Sequence, residues 1–176
     1  MLANFISIET LFYLAAAVAI IGSLKVVTGK NTVHALLYLV VSLLAVAVCF
    51  YLMGAPFAAG LEVIVYAGAI LVLFVFAVMM FGLAEDETKH APHSRGFSFW
   101  VGPMILAMTL LVELLWTIDN AQLQQQLTAN VVSSKQVGML LYGPYLLAVE
   151  IASFLLLAGL LAGYHYAKPD SRGTHL

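Results

Sequence analysis

The stretch Leu61-Glu62-Val63-Ile64-Val65-Tyr66-Ala67-Gly68-Ala69-Ile70-Leu71-Val72-Leu73-Phe74-Val75 is an apolar run that holds one carboxylate, one phenol and one glycine. The run extends to both sides, from about Ala58 to Leu83. At 1.5 Å per residue, about 20 helical residues cross a hydrocarbon core of about 30 Å, so the stretch can span a bilayer. Lipid offers the backbone no hydrogen bonds, which makes a spanning segment of this kind a helix. The polar–apolar alternation of a membrane β-barrel is absent from it.

Four further stretches read the same way: about Phe5–Leu24, Val33–Met53, Phe97–Ile118 and Tyr142–Tyr166. The whole chain of 176 residues is 63% apolar and only 9% charged. A soluble domain carries about a quarter charged residues, so this chain lacks the polar surface to cover a folded sphere in water. Its mean hydropathy of +1.02 excludes disorder, which needs low hydrophobicity and high charge. The net charge of −2 gives no electrostatic footprint for nucleic acid. Cys49 is the single cysteine, which excludes an intrachain disulfide, a CxxC redox site and a cysteine-ligated cluster within the chain.

The first stretch has no Lys or Arg ahead of it before Lys25, so it reads as a retained helix rather than a signal peptide. Lys25, Lys30, Lys89, Arg95, Lys168 and Arg172 fall on one side of the five spans, and only Lys135 on the other. The side rich in Lys and Arg faces the cytoplasm. We therefore expect an all-α integral membrane protein, a single membrane domain over 1–176. Its helices lie at roughly 5–24, 33–53, 58–83, 97–118 and 142–166, with the N-terminus outside and the C-terminus cytoplasmic. Trp100 and Trp116 bracket the fourth helix, roughly 24 Å apart at helical rise, which suits two interfacial belts. Glu85-Asp86-Glu87-Thr88-Lys89-His90 and Pro92 make a cytoplasmic loop, and Gln122-Leu123-Gln124-Gln125-Gln126 an outer loop with room for a helical turn or two. Pro144 is expected to start or kink the fifth helix. No internal repeat is visible, which argues against a transporter core in this one chain.

Glu62, Glu113 and Glu150 are carboxylates inside apolar stretches, each toward the outer side in this orientation. A charge at the centre of a membrane helix costs about 2.5–3.5 kcal/mol by insertion scales, so such groups usually face a bundle interior, a water cavity or a partner. The plainer reading is that each snorkels to the interface or is neutral there. Tyr66 is four residues beyond Glu62, one turn deeper on the same helical face. A phenol both donates and accepts, so the pair could start a proton wire, although spacing alone favours a packed aromatic. Gly68 allows close helix approach, and it also weakens the helix enough to seed a π-bulge or hinge. Gly159 and Gly163 form a GxxxG pattern, a signal for helix packing.

His34 and His165 lie at helix ends, and His90, His93 and His175 in loop and tail, so paired mid-membrane haem ligation is not offered. No GxGxxG, P-loop, zinc motif or nucleophile elbow occurs, and no soluble catalysis is expected of the chain by itself.

Asn31-Thr32-Val33-His34-Ala35-Leu36-Leu37-Tyr38-Leu39, the helix-three stretch from Leu61 to Val75, and Gly143-Pro144-Tyr145-Leu146-Leu147-Ala148-Val149-Glu150 resemble the family of bacterial NADH-quinone oxidoreductase J subunits, with mitochondrial NADH dehydrogenase subunit 6 as its counterpart. The resemblance covers nearly the whole chain. Residues 84–96, 119–137 and the tail carry no motif of it. It implies a membrane-arm subunit of respiratory complex I beside the quinone-binding region, in the bacterial inner membrane. FMN, iron–sulfur clusters and quinone would sit in other subunits, and this chain would hold no cofactor and no metal. Its partners would be other complex I subunits, especially small membrane subunits near the quinone site and the antiporter-like arm, together with the bilayer. In that family the third helix is mobile and can hold a π-bulge. By the resemblance Glu62 and Tyr66 take its polar positions, Gly68 its flexible spot, and Glu150 an acid of helix five. Glu113 matches no family motif.

Two alternatives stay open. One is a subunit of a related cation/proton antiporter or membrane-bound hydrogenase, which would use the same acids without NADH. The other is a purely structural subunit that packs neighbouring helices and carries no protons.

Overall fold

The structure is a computed structural model that describes residues 7–29, 31–80, 98–120 and 131–167. All regular elements among the described residues are helical. They are α1 (Ile8–Thr28), α2 (Thr32–Leu52), α3 (Pro56–Met80), α4 (Ser98–Asp119), α5 (Ser134–Leu141) and α6 (Leu146–Ala167). All but α5 are long and apolar enough to cross a membrane, which gives the five expected spans. Lys30, Lys89, Arg95, Lys168 and Arg172, on which the expected orientation leans, lie outside the described residues, as do the acidic segment 85–90, Pro92, the glutamine-rich segment, His90, His93 and His175.

The ends of the helices differ from expectation in two places, each for a local reason. α1 begins at Ile8 because the Ser7 hydroxyl accepts from the Thr10 N–H (3.3 Å) as an N-cap. It runs on to Thr28 through Lys25, since a cation is favourable near a helix C-terminus. The last span begins at Leu146 rather than near Tyr142. Pro144 neither starts nor kinks it, but sits in the turn 142–145 that separates α5 from α6.

Contacts divide the chain into two compact units, Met1–Val132 and Ser133–Leu176. In the first unit α2 is the central helix. The Asn31 side chain caps its start by accepting from the His34 N–H (3.0 Å). Gly54, at φ 79°, turns the chain after α2, and Pro56 opens α3 at its first turn, where a missing N–H costs nothing. Ala15 and Val18 of α1, Val41 and Ala45 of α2 and Leu110 of α4 form a common buried cluster.

Small residues set how closely these helices approach. A Cβ on Gly22 would lie 2.9 Å from the Ser42 Cβ, so only glycine fits at that crossing of α1 and α2. The Ser42 hydroxyl donates to the Ala19 carbonyl (2.8 Å) and lies 2.9 Å from the Ser23 hydroxyl. At Gly102, a Cβ would collide with the Tyr38 hydroxyl, so the start of α4 fits beneath a buried α2 tyrosine.

In the second unit, Ser133 and Gln136 form a capping box at the start of α5, with the Ser133 N–H donating to the Gln136 side chain (3.0 Å). Within this unit α6 buries none of its described residues, and a Cβ on Gly159 or Gly163 would meet nothing within 4 Å.

Candidate functional site

The candidate site is built on α3, which changes register along its length. Pro56–Leu61 is an α-helix, Glu62–Ile70 is a π-helix, and Leu71–Met80 is α-helical again. The Glu62 N–H still bonds four residues back, to the Ala58 carbonyl. By Leu71 the N–H reaches five residues back, to the Tyr66 carbonyl. The expectation of a π segment on this helix is met, and the segment is longer than a single bulge.

Gly68 explains why the wide register is tolerated there. A Cβ at position 68 would lie 3.1 Å from the Val63 carbonyl oxygen, the atom five residues back. That contact is tighter than ordinary packing, so any side-chain-bearing residue would press on the π ladder at its middle. Glycine removes the crowding and weakens the competing α-helix.

The π register also decides which face each residue presents. A π-helix has about 4.4 residues per turn, so nine positions from Glu62 to Leu71 make about two turns. Both residues are buried. At 3.6 residues per turn the same nine positions would make two and a half turns and put one of them on the opposite side. The inward placement of Glu62 together with Leu71 is thus a consequence of the π segment. Tyr66, between them, is 52% exposed, as are its neighbours Val63, Ile64 and Val65 to comparable degrees. Glu62 therefore faces the helix bundle, while Tyr66 is left for whatever packs outside this chain.

Glu113 lies on a regular part of α4 and is more deeply buried than Glu62, at 2% exposure. Both of its carboxylate oxygens are sealed and accept no hydrogen bond among the described residues. One turn further along, the Thr117 hydroxyl donates to the Glu113 backbone carbonyl (2.8 Å) and is itself buried. A cavity of about 660 Å³ lined by Leu11 and Leu14 of α1 and by Met108, Val112 and Trp116 of α4 reaches Glu113. Position alone gave no hint that this acid is the most enclosed of the three. The signal available was Thr117, a second polar residue four positions away on the same helical face.

Glu150, in the second unit, is exposed within that unit, and the Ser153 hydroxyl donates to its backbone carbonyl (2.7 Å). Glu62 and Glu113 lie on different helices of the first unit. Among the described residues no three metal-ligating side chains come together.

The family model described as NADH-ubiquinone/plastoquinone oxidoreductase chain 6 matches residues 22–165. The NADH-quinone oxidoreductase subunit J of Pseudomonas aeruginosa is 50% identical over 164 residues, covering 93% of this chain and 99% of that protein. The subunit J of Escherichia coli strain K12 is 45% identical over 168 residues, covering 96% of this chain and 91% of the relative. The subunit J of Buchnera aphidicola subsp. Schizaphis graminum is 40% identical over 160 residues, covering 91% and 98%. A match of this length takes in α3, the buried Glu62 and Glu113, and the last span alike, so the chain belongs to the NADH-ubiquinone/plastoquinone oxidoreductase chain 6 family.

Proposed function

We propose that this chain is a membrane-arm subunit of a proton-translocating NADH:quinone oxidoreductase. In that role it helps couple quinone reduction, carried out elsewhere in the complex, to proton translocation, and it holds no redox cofactor itself. FMN, iron–sulfur clusters and quinone belong to other subunits. Its neighbours are other complex I subunits, with small membrane subunits near the quinone site against α3. It resides in the bacterial inner membrane with its N-terminus outside.

The observation that carries the mechanism is the π segment that turns Glu62 inward. A helix with two registers of similar free energy is a bistable element that a neighbour can bias. In the π register Glu62 faces the bundle. A return to the α register turns the two ends of α3 relative to each other and moves Leu71 off the face that carries Glu62. Quinone reduction next to α3 biases the two registers. In one, water joins Glu62 and Tyr66 to partner carboxylates. In the other, that wire is broken. Glu150 supplies a further acid toward partner subunits, and Gly159 and Gly163 a surface on which a partner helix packs closely.

Tyr66→Phe and Gly68→Val in the assembled complex test this reading. We expect protons pumped per NADH to fall at least about twofold in each, with NADH oxidation by an artificial acceptor retained. A wild-type ratio in both variants overturns the gating role. If Glu62→Gln with Glu150→Gln also leaves assembly and pumping unchanged, the chain is a packing subunit.

A further inference from the structure

The deepest carboxylate among the described residues of the first unit is not on α3. Glu113 is sealed among α1, α2 and α4, and neither of its side-chain oxygens has a donor. Buried carboxylates in proteins are paired, hydrogen-bonded or functional, and inside a membrane bundle the last is the default hypothesis. A purely structural acid would be anchored by donors, and this one has none. A partner subunit cannot supply one without opening the bundle, since the oxygens have no accessible surface.

The cavity at Glu113 is lined almost wholly by apolar side chains, with Thr109 one turn back on α4, its hydroxyl donating to the Ile105 carbonyl, as the exception. Leu11 and Leu14 of α1 face it with apolar side chains. From α2 the facing titratable group is Cys49. Along α4 itself, Thr117 and Asn120 follow at four and seven residues, the spacing of one helical face. Thr117 is buried, and Asn120 is partly exposed just past the helix end, next to the exposed Asp119. A polar column roughly 10 Å long thus runs from a sealed carboxyl past an equally sealed hydroxyl to a partly exposed amide where α4 stops.

We infer that Glu113 is a proton-exchange site in its own right, reached through Thr117 and Asn120 from the end of α4 rather than along α3. The inference extends the proton-handling role proposed above, but it does not need the register change of α3. When water enters the column, the Glu113 O–H bond breaks and the proton passes to the first water. The Thr117 hydroxyl then gives up its bond to the Glu113 backbone carbonyl, takes a proton from that water and passes its own on to water held by the Asn120 amide at the surface. One O–H bond is lost at Glu113 and one is gained by surface water. The carboxylate left behind is solvated by the water in the column until a proton returns. The slow event is wetting of the apolar chamber, not the hops.

The test is infrared difference spectroscopy on the purified, assembled complex, with NADH:quinone activity measured on the same samples. The carbonyl stretch of a carboxylic acid is read in wild type minus Glu113→Gln, which isolates this one group. On transfer to D2O the band shifts as its proton exchanges. We expect an acid band that belongs to Glu113, exchanging at least about tenfold more slowly in Thr117→Val, and a similar direction of change in Asn120→Leu. Tyr66→Phe should leave its exchange rate at the wild-type value. Two results overturn the inference: no acid band in the difference, or exchange in Thr117→Val and Asn120→Leu as fast as in wild type. Loss of NADH:quinone activity with the band and its exchange intact would count against the respiratory reading while leaving this site standing.

Discussion

The α1–α2 pair and α3 solve the same problem, a long apolar helix in a membrane, in opposite ways. α1 and α2 are locked by atoms that admit no substitute: Gly22 sits where a Cβ would lie 2.9 Å from that of Ser42, and the Ser42 hydroxyl bridges back to Ala19. α3 buries little of itself and spends nine residues in a register that most helices avoid. Without a hydrophobic drive between helices in lipid, close packing and interhelical hydrogen bonds decide what is rigid. Where both are present the helix pair has one arrangement. Where both are sparse, as along α3, packing within the chain does less to fix the register. The molecule thus places a closely packed helix pair as a frame beside a sparsely buried helix with a nine-residue π segment.

The strongest way to break this contrast is Gly22→Leu. The added side chain meets Ser42 Cβ and backbone at once, with no flexible neighbour to yield. Overpacking of this kind costs about 1–3 kcal/mol, enough to lower the amount of correctly packed subunit severalfold or more. We expect the subunit to fall at least about fivefold in isolated membranes, read by immunoblot, and the assembled complex to fall with it. Normal accumulation would show that the α1–α2 crossing is not fixed by close approach.

Much of this contrast could be anticipated from the residues, and the part that could not has a physical reason. Bilayer thickness dictates span length, so five apolar runs gave five spans before any coordinates. Charge and proline were harder to place. Lys25 read as the end of a helix, yet α1 accommodates it in its last turn. Tyr142 counted as apolar, yet Pro144 holds 142–145 in a turn. Gly68 hinted at a bulge, but the extent of the π segment depends on the Val63 carbonyl, a backbone contact that composition does not encode. Nor did spacing foretell that Glu62 is buried while Tyr66, one turn along the same helix, is half exposed. Glu113 was the least legible acid, because burial depends on which face of α4 meets α2, and large apolar residues lie on every side of that helix.

A smaller effect, but a more diagnostic one, is expected from Gly68→Ala. Alanine is favoured over glycine in a helix by about 0.5–1 kcal/mol, and its Cβ would press on the Val63 carbonyl only in the π register. Both terms push α3 toward the α register, by about fivefold in population for about 1 kcal/mol. Thiol accessibility reads the shift in a Cys49→Ser background. A cysteine replacing buried Leu71 should become more reactive when Gly68→Ala is added, because the second half of α3 turns. Unchanged reactivity would mean that α3 holds a single register and is part of the frame.

Ser42→Ala probes the frame itself and should have the smallest effect. It removes one interhelical bond to the Ala19 carbonyl and one to Ser23, without adding volume. Such bonds average about 0.6 kcal/mol each in membrane proteins, because polar groups find other partners before the helices associate. The loss should be about 1 kcal/mol, lowering the dissociation temperature of the detergent-solubilised complex by a few degrees while pumping per NADH stays at the wild-type value. Ser42→Ala and Gly68→Ala then form a matched pair of single-atom changes. If the change in the α1–α2 pair alters stability alone and the change in α3 alters coupling alone, the two regions differ in kind. If Ser42→Ala also lowers pumping per NADH, the α1–α2 pair moves during turnover, and the division between frame and switch fails at its fixed end.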